Sequence, residues 1–140
     1  MIERDALGAA ARGLRQYLLA VAGKLDVPAW FCEVTVPAGG YLALDRRLDR
    51  FPDHETALLW DERDGWSAVV ESATGDEVIA LAYLGADVLP APDEVVAFVR
   101  DLYGESYPGR PDPPGFRTPG APDGFDERLA AYAADPVGQA

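Results

Sequence analysis

The run from Thr56 to Leu84 leaves few folds open. Apolar residues alternate through Thr56–Glu62, Trp66–Ser72 and Glu77–Leu84, with Arg63, Asp64 and Gly65 in the first gap and Ala73, Thr74 and Gly75 in the second. Period-two alternation marks strands, and each gap places a glycine where a three-residue hairpin loop needs a positive φ. The spacing predicts an antiparallel meander. Two three-residue loops put Leu58, Trp60, Trp66, Ala68, Val70, Val78, Ala80, Ala82 and Leu84 on one face. The other takes Ala57, Leu59, Val69, Ile79, Leu81 and Tyr83, edged by Ser67, Glu71 and Glu77. One residue more or less in either loop exchanges the faces beyond it. Both faces are apolar, whereas an antiparallel sheet with one wet side alternates cleanly, so each face requires cover.

The flanking segments extend this sheet and supply the cover. Leu7, Ala10, Ala11, Leu14, Leu18, Val21 and Leu25 recur at helical spacing and predict a helix over Asp5–Lys24, punctuated by Gly23 and Pro28. From Trp30 the period falls to two: Trp30, Cys32, Val34 and Val36 alternate with Phe31, Glu33 and Thr35. Pro37, Gly39 and Gly40 make a turn before a short strand, Tyr41–Leu44, and a polar connection follows with Leu48 and Phe51 as its anchors. After Leu84 a loop leads to Pro92, which opens a second helix with Asp93 and Glu94 in its first turn and Gly104 as its stop. The predicted order is α-β-β-β-β-β-α: an α+β domain at 1–104, with a mainly antiparallel five-stranded sheet flanked by an N-terminal and a C-terminal helix. Its expected core includes Leu14, Leu18, Val70, Ala80, Phe98 and Val99.

Beyond Glu105 lie seven of the twelve prolines, Pro108, Pro111, Pro113, Pro114, Pro119, Pro122 and Pro136. Residues 105–140 therefore read as an extended Pro/Gly-rich tail, with residues 105–122 adding little to stability and one short helix at 125–134 carrying Phe125, Leu129 and Tyr132.

The charge narrows the function. A chain of 140 residues with net charge −12 has no basic stripe to displace counterions from DNA or RNA, and an anionic membrane surface repels it. Arg46, Arg47 and Arg50 are interleaved with Asp45 and Asp49 and read as a solvated segment. No apolar run is long enough to span a bilayer, the N-terminus lacks a signal-peptide pattern, and the single cysteine forms no intrachain disulfide. The expectation is a cytoplasmic protein.

Chemistry-bearing motifs are sparse. Cys32 sits on an apolar strand with no thiolate-stabilising neighbour in sequence and reads as packing. His54 alone makes no metal site, and no HExxH, CxxC or calcium-loop spacing occurs, so neither metal nor cofactor is expected. Gly39 and Gly40 precede a strand rather than the helix N-terminus that a phosphate cradle needs. Of the carboxylates Asp45, Asp49, Asp53, Asp61, Glu62 and Asp64, several lie at predicted turns, where water keeps them ionised. Trp60 and Trp66 flank one turn on one face, either capping the core beneath a helix or lining a ligand pocket.

Tyr41-Leu42-Ala43-Leu44, Ala57-Leu58-Leu59-Trp60-Asp61-Glu62-Arg63 with Gly65-Trp66, and Leu81-Ala82-Tyr83-Leu84-Gly85 followed by Asp87-Val88-Leu89-Pro90 form a distinctive string. It resembles an uncharacterised actinobacterial domain-of-unknown-function family over roughly residues 10 to 104. The resemblance implies a small cytosolic protein and assigns no catalytic residue. The functional expectation is a non-enzymatic protein-binding domain of adaptor, chaperone-like or immunity type. Its interaction face is Leu59, Val69, Ile79, Leu81 and Tyr83, and its partner is another protein or a second copy in a homodimer. The alternative is a small-molecule-sensing domain with a pocket between helix and sheet at Trp60 and Trp66. A small enzyme working with carboxylates alone comes last.

Overall fold

The computed structural model describes residues 2–27, 32–35, 39–104, 108–119 and 121–134. The chain runs α1 (Ile2–Lys24), β1 (Cys32–Thr35), β2 (Gly39–Leu44), β3 (Glu55–Asp61), β4 (Gly65–Glu71), β5 (Val78–Tyr83), α2 (Pro92–Tyr103) and α3 (Phe125–Ala134). The fold is α+β. Strands β2 to β5 carry an antiparallel sheet in sequential order, and the short β1 lines the outer side of β2. Trp30, Phe31 and Val36, expected in the first strand, lie outside the described residues, as do the surroundings of the Cys32 side chain. Among the described residues no helix is long and apolar enough to cross a membrane.

Helix α1 continues through Gly23 and closes at Lys24, the expected end. Asp26 adopts a left-handed φ of 58°, and the amides of Asp26 and Val27 return to the carbonyls of Gly23 and Ala22. These bonds satisfy carbonyls that a helix end would otherwise leave unpaired. Helix α2 opens at Pro92 as expected, and the Glu94 carboxylate accepts the Ala91 N–H.

The core lies between the helices and one sheet face. Leu14, Tyr17, Leu18 and Val21 from α1 meet Val95, Phe98, Val99 and Leu102 from α2, with Leu42, Leu58, Trp60, Trp66, Ala68 and Val70 below them. Phe125 and Leu129 from α3 belong to the same cluster, and Phe116 and Tyr132 pack against it. The expected division at residue 104 is thus no division in packing. Proline kept the segment extended, yet extended chain can still dock. Phe116 N–H bonds the Arg63 carbonyl and Gly115 N–H bonds the Asp64 carboxylate. The buried Arg117 guanidinium joins Glu62 at 2.8 Å and Asp123 at 2.9 Å while lying over the Phe125 ring.

Helix α3 packs closely on α1 at Gly13. A Cβ there would stand 1.6 Å from the Leu129 carbonyl oxygen, a backbone atom that no rotamer change can move. Gly13→Ala should gain about 1 kcal/mol of helix propensity and lose more to overpacking, for a net loss of about 2 kcal/mol in urea denaturation. A variant more stable than the wild type would show that α3 does not sit there.

The first hairpin pairs Trp60 with Trp66 and Leu58 with Ala68, with the faces expected for β3 and β4. Gly65 and Gly75 both take positive φ, 72° and 76°. The second hairpin differs. Ser72 N–H bonds the Glu77 carbonyl, so residues 73–76 form a four-residue loop, and Glu71, Val70 and Val69 pair with Val78, Ile79 and Ala80. A β-bulge then skips Leu81 and restores the expected parity at Ala82 and Tyr83. Between loop and bulge the faces are exchanged. Ile79 joins the helix-covered side with Val70, and Val78 and Ala80 move to the opposite side. Ala80, placed in the core by the sequence, is exposed, whereas Leu14, Leu18, Val70, Phe98 and Val99 do share one interior.

Candidate functional site

The two tryptophans are built into the core. Trp60 and Trp66 are 1% and 0% exposed, so their rings offer no surface to a ligand. The Trp60 indole N–H bonds the Val88 carbonyl at 2.7 Å, and its ring stacks on Phe125 with centroids 6.0 Å apart. The Trp66 N–H donates to the Tyr17 hydroxyl, which in turn donates to the Pro90 carbonyl at 2.5 Å. Burial pushes the Tyr17 phenol well above its ordinary range, so this relay holds its proton and serves as a brace. The pair therefore caps the core beneath the helices.

The proposed interaction residues are not brought together. Leu59, Val69 and Tyr83 share the face away from the helices, in rows with Tyr41, Ser67, Ala57 and Ala80. Ile79 lies on the other side, and Leu81, at the bulge, packs against the core. Val69 and Ala57 are buried on the far face but stand outside the main cluster, and the Tyr41 hydroxyl reaches across it to the Glu71 carboxylate at 3.0 Å. The far face is thus closed by its own side chains at its centre.

Apolar exposure concentrates instead at the start of β5. Among the described residues the exposed large hydrophobics are Val78, at 51%, and Ile79, at 38%. They lie on the outermost strand of the sheet. Glu77 accepts from Ser72 across the hairpin, and Tyr83 exchanges two hydrogen bonds with Arg110 on its outer side. The alternation of an antiparallel ladder then turns the backbone N–H and C=O of Val78 and Ala80 outward, away from β4. No described strand lies against them. The strand from Val78 to Ala80 contains no proline and no charge, two of the usual guards on an open edge. Sequence reasoning missed Val78 because the faces were exchanged; its signal was the uninterrupted apolar run from Val78 to Leu81.

Beside the bulge a cavity of about 270 Å³ opens at the same edge. Leu81, Ala82, Leu102 and residues 108–111 line it together with Arg50. Among the described residues the lining carries two cationic side chains, Arg50 and Arg110, and no carboxylate.

The Asp61 carboxylate caps its own turn, accepting the N–H groups of Arg63 and Asp64. Glu62 pairs with Arg117, and His54 lies 3.4 Å from Glu77. None of these candidate carboxylates is buried, and the part-buried Glu62 is paired with the Arg117 guanidinium, so none has the apolar pocket that acid–base work requires. No group of three or more His, Cys, Asp or Glu among the described residues could hold a metal ion. Asp87 is tuned, though structurally. Its burial opposes ionisation, but Arg128 and the N–H groups of Leu89 and Val88 outweigh that and hold the carboxyl below its ordinary range.

The profile of a family of unknown function (DUF6292) matches residues 17–101, more than half of the chain, and the protein belongs to that family. No curated protein and no solved structure matches it.

Proposed function

We propose that this member of the DUF6292 family is a protein-binding domain that takes an extended segment of its partner along the outer edge of β5. The observation carrying this reading is the coincidence of outward backbone groups at Val78 and Ala80 with the exposed side chains of Val78 and Ile79. Strand addition uses the first for affinity and the second for choice of partner. A second copy of the chain fits the far face less well. Pressing two such faces together would bury the Glu55 and Glu71 carboxylates of two chains of net charge −12.

The test is an array of random decapeptides probed with the wild type and with Ala80→Pro. Proline removes one outward N–H and is tolerated on an edge strand where that N–H faces solvent. Peptides bound by the wild type should lose at least about tenfold in affinity to the variant, whose melting temperature should fall by only a few degrees. Peptides that bind both proteins equally would place recognition elsewhere.

A further inference from the structure

The cavity beside Leu81 sits where an added strand has to stop. Arg110 already occupies the outer side of Tyr83 through two backbone hydrogen bonds of 2.8 Å each, so the ladder open to a partner runs past Val78 and Ala80 and is closed beyond the bulge. At that closed end lies the cavity, with Leu81, Ala82, Leu102 and Pro108 as apolar lining and Arg50 and Arg110 as its cations. An apolar recess lined by Arg110 and Arg50 and, among the described residues, by no carboxylate selects an apolar residue carrying negative charge. A strand forced to end there presents such a charge without any special side chain, as its terminal carboxylate.

Resting on the strand-addition reading, we propose that this cavity receives the C-terminal residue of the partner, its apolar side chain against Leu81 and Leu102 and its carboxylate toward Arg50 and Arg110. The partner strand then runs parallel to β5, with its preceding residues beside Ala80 and Val78. Specificity has two parts: a free C-terminus, and an apolar last residue that fits a space of about 270 Å³.

The experiment prints each decapeptide twice, with a free C-terminal carboxylate and as the C-terminal amide. Binders are resynthesised in both forms with a dye at the N-terminus, and their Kd values are measured by fluorescence polarisation against the full chain and Arg110→Gln. That substitution keeps the backbone pairing with Tyr83 and removes only the cation. The acid should bind at least about tenfold more tightly than the amide, and Arg110→Gln should erase the difference by weakening the acid alone. Arg110→Lys should restore part of it. Acid and amide binding within twofold of each other would overturn the inference, as would an acid whose affinity ignores Arg110. Binders that need an internal Asp or Glu and tolerate amidation would overturn it in favour of a side-chain carboxylate. In either case, peptides still lost on Ala80→Pro would leave strand addition standing. Absence of binding in both forms would sink the two together.

Discussion

Ending the chain at Gly104 should abolish cooperative folding rather than trim a loose end. The cut removes Phe125 and Leu129, 3% and 2% exposed, and the partly buried Phe116 and Tyr132. Each fully buried apolar side chain of this size contributes about 1.5–3 kcal/mol, and the loss also uncovers Trp60 and the α1 surface around Gly13. Together these approach the whole stability of an ordinary domain, about 5–15 kcal/mol. The truncated chain should show weakened near-ultraviolet circular dichroism and no sharp thermal transition. A sharp transition within a few degrees of that of the intact chain would show that the docked helix contributes nothing.

Trp60→Ala should cost about 3–5 kcal/mol, the usual range for emptying a buried aromatic site. The indole fills space between β3 and α3, stacks on Phe125 and satisfies the Val88 carbonyl at 2.7 Å. Removing it leaves a cavity and a buried acceptor at once. Trp60→Phe keeps most of the volume and loses the hydrogen bond, so it should cost less than half as much. Urea denaturation with tryptophan fluorescence from the remaining residues measures both. A loss below about 1 kcal/mol for the alanine variant would mean that the site collapses freely, contrary to its close packing.

Much of this architecture was legible in local pattern. The helical stripe of Val95, Phe98, Val99 and Leu102 and the short helix at Phe125–Ala134 follow directly from spacing, as do the two turn glycines and the pairing of Trp60 with Trp66. The exchange of faces in β5 was not legible. Ala73, Thr74, Gly75 and Asp76 suit a three- or four-residue loop equally, and a bulge at Leu81 leaves no compositional trace in an apolar run. Because a strand has a period of two, that single residue decided whether Val78 was core or surface. Docking of the tail was hidden for a different reason. Proline content reports that a segment lacks regular structure, and says nothing of what its aromatic residues do. Phe116 and Phe125 between prolines were the available signal. The cavity lining was out of reach, since Arg50, Leu81, Leu102 and Arg110 converge from four separate elements.

The close seating of α3 on α1 bears on what is inherited and what folds. The family segment ends at residue 101, and both halves of that contact, Gly13 and Leu129, lie outside it. The recognisable stretch thus carries the sheet, the end of α1 and most of α2, while α3 and the first turns of α1 come from sequence that the family pattern does not describe. A gene fragment cut to the matched boundaries would encode a floor with part of its ceiling missing, and its solubility would depend on whatever other chain happened to fill the gap.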